Sequence, residues 1–195
     1  MSCWPESLCV YCGATPGVPA AHLALAEALG RALAAAGVAL VYGGGKRGLM
    51  GAVADATLAA GGRVIGIIPS FLDRVEITHH GVSELLVVSS MHERKRLMTE
   101  RAQAFCVLPG GIGTLDEAFE AITWAQLGLH GKPVVFLDPD GFWTPLLEQL
   151  RTMERRGYLR VPMGRLFACV RRPEEVLPAA RANRPEARPA LLERS

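Results

Sequence analysis

The chain has 195 residues, half of them apolar, which is enough for one well-filled core and short for two domains. Its formal net charge of +2 at pH 7 gives no reason to expect nucleic acid as a partner, so an anionic ligand would bind at a local site. The amino terminus lacks a signal-peptide pattern and no apolar run approaches the roughly 20 residues that cross a bilayer, so we expect a cytoplasmic protein with no membrane partner.

Short apolar runs alternate with longer helical stretches along the chain. We predict strands at residues 8–12, 38–42, 64–68, 85–88, 105–108, 134–137 and 166–170. Between the first two, residues 19–36 have the pattern of a helix, with Pro19 at its start and Gly37 just past its end. This alternation predicts an α/β, Rossmann-like fold: a doubly wound, mostly parallel sheet of about seven strands flanked by helices.

We predict a single domain over residues 1–180. From residue 171 onward the composition shifts to Arg, Pro, Glu and Ala, which favours a short helix and then a loose Arg/Pro-rich tail at residues 181–195. Acidic residues interrupt the arginines of this segment, so we expect a solvated tail rather than a phosphate site.

The first predicted strand contains a Cys-x-x-Cys spacing at Cys9 and Cys12. In redox sites this spacing opens a helix, whereas residues three apart in a strand point to opposite faces of the sheet. We therefore expect both cysteines to pack in the core. The chain has five cysteines, an odd number that favours reduced thiols over a disulfide framework.

Three predicted strands end in glycine-rich segments, and in a parallel sheet ligands bind beyond the carboxyl ends of the strands. Gly13 follows the first strand, residues 43–48 follow the second and residues 109–114 follow the fifth. Such segments let backbone N–H groups approach an anion closely, although tight packing alone also requires glycine. The second segment has the G-x-G-x-x-G spacing of a dinucleotide site, but residues 67–70 supply no acidic residue for a ribose, which argues against NAD.

A polar cluster marks the start of another helix. Ser90 and Glu93 have the spacing of a capping box, and Arg94 and Lys95 then fall in the first helical turn. Cations are unfavourable at a helix N-terminus, so these two residues indicate a negatively charged ligand nearby. The alternative is a solvated basic face.

The histidines do not form a recognisable metal motif. His92 lacks a second histidine four residues later, because position 96 is Arg. The pair His79-His80 has no companion ligands in sequence and is more typical of a surface turn than of a metal site.

The most informative segment is Pro-Gly-Gly-Ile-Gly-Thr-Leu-Asp-Glu at residues 109–117. Its three glycines offer backbone N–H groups to an anion, and Thr114 and Glu117 place a hydroxyl and a carboxylate at the start of a helix. Thr114 and Glu117 also have the spacing of a capping box, in which both side chains only satisfy the first backbone donors of the helix. Spacing alone leaves the catalytic and the capping roles open.

Two of these segments match the motifs of a known family. Residues 109–117 fit P-G-G-x-G-T-x-x-E, and Met-His-Glu-Arg-Lys at residues 91–95 fits M-H-x-R-K. With both motifs, the sequence resembles the LONELY GUY family of cytokinin riboside 5′-monophosphate phosphoribohydrolases, long labelled "possible lysine decarboxylases". The resemblance covers about residues 7–180, but Ala14 and Thr15 stand where many members have two serines.

The resemblance implies which residues form the site. The catalytic arginine and glutamate of the family fall on Arg94 and Glu117. The substrate-binding residues that it implies are Glu76, Lys95, Gly111, Ile112, Gly113, Thr114 and Thr123, to which the glycine-rich segments add Gly110, Gly13 and Gly44. Members of the family use neither a metal nor an organic cofactor, so we expect none.

The activity so implied is hydrolysis of the N-glycosidic bond of a nucleoside 5′-monophosphate, a cytokinin nucleotide or AMP, to the free base and ribose 5-phosphate. The chief alternative is a non-catalytic nucleotide or molybdenum-cofactor carrier of similar fold, which would not need the Arg94 and Glu117 pair. A lysine decarboxylase would need pyridoxal phosphate on a lysine, and none of the three lysines stands in a recognisable context for it.

The family also implies an oligomer, and we expect a homodimer. Two predicted helices offer more apolar surface than one sheet face needs. The residues concerned are Met91, Leu97 and Met98 in one helix and Phe119, Ile122, Trp124 and Leu127 in the next.

Overall fold

A computed structural model describes residues 4–73 and 78–183 of the chain. Within these ranges seven strands form one sheet, and all neighbouring strands are parallel. The strands are β1 (Ser7–Tyr11), β2 (Ala39–Tyr42), β3 (Val64–Pro69), β4 (Glu84–Val88), β5 (Ala104–Val107), β6 (Val134–Leu137) and β7 (Ala168–Val170). Their spatial order is β4-β3-β2-β1-β5-β6-β7. The predicted α/β, Rossmann-like fold is confirmed.

Helices cover both faces of the sheet. One face carries α1 (Ala20–Ala35), α2 (Gly48–Ala59) and α7 (Val176–Ala182), and the other carries α3 (Met91–Arg101), α4 (Ile112–Gln126), α5 (Thr144–Arg155) and the one-turn helix α6 (Met163–Leu166). Alternate residues of each strand feed the two cores, because successive side chains point to opposite faces. In β1, Leu8 and Val10 pack with α1, whereas Cys9 and Tyr11 belong to the core beneath α3 and α4.

Most element ends lie within one residue of the prediction. The helix predicted over residues 19–36 spans Ala20–Ala35, and Gly37 has a φ of +68°, the left-handed conformation in which many helices end. The largest difference is at β7, predicted to begin at residue 166 but observed from Ala168. Leu166 instead ends α6 and packs in the core with Phe167, so the apolar run includes a buried turn before the strand.

Cys9 in β1 and Cys12 just after it lie as the alternation of strand side chains predicts. Cys9 and Cys12 are buried on opposite faces of the sheet, which confirms their packing role. The cysteines in the described ranges, Cys9, Cys12, Cys106 and Cys169, are free thiols.

The strand order determines where a ligand can bind. From β1 the chain proceeds outward through β2, β3 and β4, and then returns to the other side of β1 with β5. The helices after β1 and β5 therefore cover opposite faces and leave a crevice at the carboxyl ends of these two strands, the usual ligand site of such sheets. Gly13 and residues 109–111 follow these strands.

Some predicted features lie outside the described residues. Glu76 falls within residues 74–77, and residues 184–195 include most of the predicted tail, so the domain and tail boundaries stay predictions. None of the helices in the described part of the chain is long and apolar enough to span a membrane.

Candidate active site

Two glycine-rich loops meet at the crevice between β1 and β5. The N–H of Gly13 donates to the carbonyl of Pro109 over 3.1 Å, and the carbonyl of Gly13 accepts from the N–H of Leu49 in α2 over 2.9 Å. A Cβ on Gly110 would lie 2.9 Å from the nitrogen of Gly13 and 2.7 Å from Cβ of Thr114, so no side chain fits there. The loops approach so closely that backbone, rather than side chain, lines this part of the crevice.

Helix α4 begins where the second loop ends. It starts at Ile112 with Gly111 as its N-cap, and its first turn contains no acidic side chain. The first N–H groups of a helix have no partner within it and carry the positive end of its dipole, so they can bind an anion. The capping box considered for Thr114 and Glu117 does not form, because the helix begins before Thr114 and no side chain caps it.

The start of α3 sets the position of the next functional residue. Ser90 is the N-cap and accepts from the N–H of Glu93 over 3.2 Å, as the capping-box spacing predicts. The carboxylate of Glu93 reaches one residue further back, where it accepts from the N–H and the hydroxyl of Ser89 at 2.9 and 2.8 Å. These bonds lower the pKa of Glu93, so a negative charge stays in the first turn, where the helix dipole favours it.

Arg94 follows Glu93 but is buried, with only 4% of its surface exposed. Its Nε donates to the carbonyl of Ile67 in β3 over 3.2 Å, and its Nη2 donates to the carbonyl of Gly43 after β2 over 3.0 Å. A Cβ on Gly43 would lie 3.1 Å from Cζ of Arg94, so glycine leaves the space that the guanidinium fills. The alternative prediction, that Arg94 lies on a solvated basic face, is therefore wrong. Two backbone carbonyls accept the hydrogen bonds that water would accept from an exposed guanidinium.

Glu117 faces Arg94 from α4. It is 5% exposed, and its Oε1 lies 3.9 Å from Nη1 of Arg94. This distance exceeds that of a hydrogen bond, so the two charges are close without being locked together. Burial first, and the charge of Glu117 next, raise the pKa of Cys9 and of Cys12 beneath the site. The raised pKa favours the protonated thiol, which is a poor nucleophile.

Comparison with known proteins identifies the family. Residues 50–180 match the family model described as "Possible lysine decarboxylase". The chain is 48% identical over 167 residues to "Cytokinin riboside 5′-monophosphate phosphoribohydrolase" from Rhodococcoides fascians. The match covers 85% of this chain and 84% of that protein. The chain belongs to the LONELY GUY family. A rice member, "Cytokinin riboside 5′-monophosphate phosphoribohydrolase LOG" from Oryza sativa subsp. japonica, is 46% identical over 160 residues, 82% of this chain and 66% of that protein.

The fold extends beyond the LONELY GUY family. The molybdenum cofactor carrier protein of Chlamydomonas reinhardtii superposes with a TM-score of 0.69 at 21% sequence identity, covering 91% of this chain and 97% of that chain. At such low identity the likeness shows the fold alone. Function therefore has to be argued from the side chains of the site.

The lysine of the LONELY GUY motif is engaged by α4. The Nζ of Lys95 lies 3.2 Å from Oδ2 of Asp116 and 2.9 Å from Oε2 of Glu120, and 15% of its side chain is exposed. Burial lowers the pKa of Lys95, but the hydrogen bonds to Glu120 and Asp116 outweigh burial, and the pKa is raised. Lys95 therefore joins α3 to α4, with its charge compensated by two carboxylates.

An open cavity of about 440 Å³ lies along the outer side of α4. Lys95 and Thr123, both predicted to bind substrate, line it together with Ile112 from the start of the helix. The other residues that line the cavity are Leu115, Asp116, Phe119, Glu120 and Trp124. Ile112 thus belongs both to this cavity and to the glycine-rich motif.

The predicted site residues fall in two neighbouring places. The carboxyl edge of the sheet brings together Gly13, Gly44, Arg94, Gly110, Gly111, Gly113, Thr114 and Glu117. The cavity along α4 has Lys95, Ile112 and Thr123. Glu76 lies outside the described residues.

Sequence reasoning missed the burial of His79, which is not in a surface turn. His79 is 5% exposed, its Nε2 lies 2.8 Å from Oδ1 of Asp55 in α2, and its Nδ1 accepts from the N–H of Gly81 over 3.2 Å. No sequence signal pairs it with Asp55, 24 positions earlier. Among the described residues, no group of three or more histidine, cysteine or acidic side chains is arranged to hold a metal ion.

Proposed function

We propose that this LONELY GUY family member hydrolyses the N-glycosidic bond of nucleoside 5′-monophosphates, with a free nucleotide rather than nucleic acid as its partner. The observation that supports this function best is the buried pair of Arg94 and Glu117, 3.9 Å apart, beside a helix N-terminus with no acid in its first turn. Relatives at 48% and 46% identity are named as phosphoribohydrolases of cytokinin riboside 5′-monophosphates, which supports the same class of reaction.

The 5′-phosphate binds at the N-terminus of α4. Residues 110–114 supply backbone N–H donors, and the first turn has no carboxylate to repel the anion. The phosphate is remote from the bond that breaks, so its binding energy is used to hold C1′ of the ribose towards Arg94 and Glu117.

Glu117 and Arg94 then act on opposite partners of the breaking bond. The buried carboxylate of Glu117 orients a ribose hydroxyl, activates the attacking water and stabilises the positive charge that develops on the sugar. Arg94, which is permanently charged, neutralises the departing base. The water oxygen bonds to C1′ as the C1′–N bond breaks, and one proton of that water ends on the base.

A non-catalytic nucleotide or molybdenum-cofactor carrier is the second candidate, favoured by the likeness of fold. A carrier has no use for a buried carboxylate beside its bound anion, because the like charge weakens binding. Glu117 is such a carboxylate, at 5% exposure. Hydrolysis of a nucleotide, in which positive charge develops on the sugar, gives this carboxylate a role.

Purified protein without added metal is expected to convert AMP to adenine and ribose 5-phosphate, and a chelator is expected to leave the rate unchanged. The reaction needs hydrogen-bond donors for the phosphate, a carboxylate and a cation, all of which the chain itself supplies. Chromatographic release of the base measures the rate. The N⁶-isopentenyl derivative of AMP, assayed beside AMP, measures the preference for cytokinin nucleotides.

Adenosine is the matched control for the phosphate subsite. Without the phosphate anchor, kcat/KM for adenosine is expected to be lower by a factor on the order of 10² or more. Equal turnover of adenosine and AMP would argue against the anion subsite at α4. Absence of turnover together with a chromophore in the absorbance spectrum of the purified protein would favour the carrier.

We further propose that the chain forms a homodimer through the outer sides of α3 and α4. Of the apolar residues predicted for this surface, Met98 and Ile122 instead belong to the chain's own core. The surface still includes Ile112, which is 82% exposed, and the apolar wall of the cavity formed by Phe119 and Trp124. An apolar cavity beside an exposed isoleucine favours burial against a second copy.

Light scattering at micromolar concentration is expected to give twice the mass of the 20.9 kDa chain. Trp124→Glu is expected to lower the mass towards one chain, because a carboxylate on the cavity wall would lose its water in the interface. Tyr158→Glu, at a position 77% exposed outside this surface, is the matched control. A monomeric parent would contradict the proposal, and a hexamer would mean that further surfaces associate.

We also propose a cytosolic location. The free thiols in the described ranges, at Cys9, Cys12, Cys106 and Cys169, support a reducing compartment. Cell fractionation tests this, and recovery outside the cytosol would contradict it.

A further inference from the structure

His79 has a fixed orientation between two partners. Its Nε2 lies 2.8 Å from Oδ1 of Asp55 in α2, and its Nδ1 accepts from the N–H of Gly81 over 3.2 Å. A ring nitrogen that accepts from a backbone N–H carries no proton itself, so Nε2 holds the proton and donates it to Asp55. The buried imidazole therefore joins the segment at residues 78–81 to helix α2.

The backbone of the same segment is bonded to the glycine-rich loop after β2. The N–H of His79 donates to the carbonyl of Gly44 over 3.0 Å, and Thr78 forms an antiparallel bridge with Gly45. Gly44 has a φ of +77°, a conformation that favours glycine, so this loop has no side chain of its own with which to anchor itself there. The two backbone contacts with Thr78 and His79 therefore help to hold this loop in place.

The same loop holds Arg94. The carbonyl of Gly43, one residue before Gly44, accepts from Nη2 of Arg94 over 3.0 Å. Gly44 also packs tightly on β3, since a Cβ there would come within 3.0 Å of Cβ of Ile68. Gly44 lies between the carbonyl that accepts from His79 and the carbonyl that accepts from Arg94, so a displacement of Gly44 would also move the Gly43 carbonyl and the guanidinium bonded to it.

We propose that His79 and Asp55 are positioning residues for Arg94. The pair fixes the segment that bonds to the glycine loop at residues 43–45, and the loop in turn orients the guanidinium of Arg94 towards Glu117. This role presupposes the proposed hydrolysis of nucleotides. Because Arg94 neutralises the base only as the bond breaks, a less precise orientation of its guanidinium lowers kcat. KM for AMP is set mainly by the phosphate subsite and changes little.

His79→Ala and Asp55→Ala are each expected to lower kcat for AMP by about tenfold and to keep KM within about twofold, since small misplacements of a catalytic group are costly. His79→Gln is expected to restore most of kcat, because its amide nitrogen occupies the place of Nε2 and donates to Asp55. The side chain of Asp55 is 60% exposed, so Asp55→Ala tests the pair even where His79→Ala unfolds the protein. Parent kcat in Asp55→Ala would contradict the proposal.

His80→Ala is the matched control. It removes an exposed imidazole at the next position of the same segment, and both kcat and KM are expected to stay at parent values. In an Arg94→Ala background, His79→Ala is expected to lower kcat no further, because a residue that acts through Arg94 has no effect without it. A further tenfold loss in that background would overturn the positioning role.

A measurement independent of activity separates this role from the proposed function. The Nε–H of Arg94, bonded to the carbonyl of Ile67 and assigned by its absence in Arg94→Ala, is followed by NMR hydrogen exchange. Its exchange is expected to be about tenfold faster in Asp55→Ala than in the parent and unchanged in His80→Ala. Faster exchange in a protein that does not hydrolyse AMP would refute the function and support the positioning role. Unchanged exchange in Asp55→Ala would overturn the positioning role whatever the activity.

Discussion

Glu117→Gln is expected to lower the turnover of AMP by a factor on the order of 10² or more while AMP still binds. The amide has nearly the same shape as the carboxylate, but it carries no negative charge to stabilise a cationic sugar and accepts no proton from water. Because no side chain caps α4, the loss cannot come from a disrupted helix start. Steady-state kinetics gives the turnover, and calorimetric titration with AMP gives the binding.

Stability and an exposed carboxylate provide the controls for this variant. Arg94 loses a partner 3.9 Å away but keeps both carbonyls, so the free energy of unfolding is expected to fall by about 1 kcal/mol. Glu148→Gln makes the same chemical change on the exposed side of α5 and is expected to alter neither the turnover of AMP nor the free energy of unfolding. A Glu117→Gln protein that hydrolyses AMP at the parent rate would favour the carrier function instead.

Features that depend on neighbouring residues were predictable from the sequence. Ser90 caps α3 and Gly37 adopts the left-handed conformation after α1, because capping and helix ends are decided within a few residues. Cys9 and Cys12 lie on opposite faces because the side-chain period of a strand is two. The alternation of short apolar runs with helical stretches likewise predicted the parallel sheet, since each crossover needs a helix.

The surroundings of Arg94 were not predictable in this way. The carbonyls that replace its water belong to Gly43 and Ile67, 51 and 27 positions away. Every residue has a backbone carbonyl, so no pattern of residue types indicates which ones will meet a buried guanidinium. The burial of His79 against Asp55 escaped prediction for a related reason, because the contact arises only when residues 78–79 meet α2 and the glycine loop in the folded chain.

A small shift in a helix boundary excludes the capping role considered for Glu117. A capping box would require Thr114 to be the N-cap, but Gly111 takes that place and α4 begins at Ile112. Helix boundaries are the least predictable part of an element, because adjacent starts differ little in free energy. The spacing of Thr114 and Glu117 alone therefore could not separate a cap from a candidate catalytic residue.

Arg94→Lys is expected to lower the turnover of AMP by a factor on the order of 10² although the positive charge is kept. Arg94 uses three nitrogens: Nε on the carbonyl of Ile67, Nη2 on the carbonyl of Gly43 and Nη1 towards Glu117. A lysine has one nitrogen on a flexible chain, so it leaves a buried carbonyl without a donor at a cost of about 1–3 kcal/mol. Kinetics with AMP and thermal unfolding measure the two effects.

Arg96→Lys is the matched control for this substitution. Arg96 lies on the exposed side of the same helix, where it pairs with Glu100, and its replacement is expected to change neither turnover nor unfolding. In the double variant Arg94→Lys, Glu117→Gln, the loss of turnover is expected to fall well short of the product of the two single losses, because the charges act on one transition state as a unit. A fully multiplicative loss would mean that Arg94 and Glu117 act independently, with Arg94 binding the nucleotide and Glu117 alone assisting the chemistry.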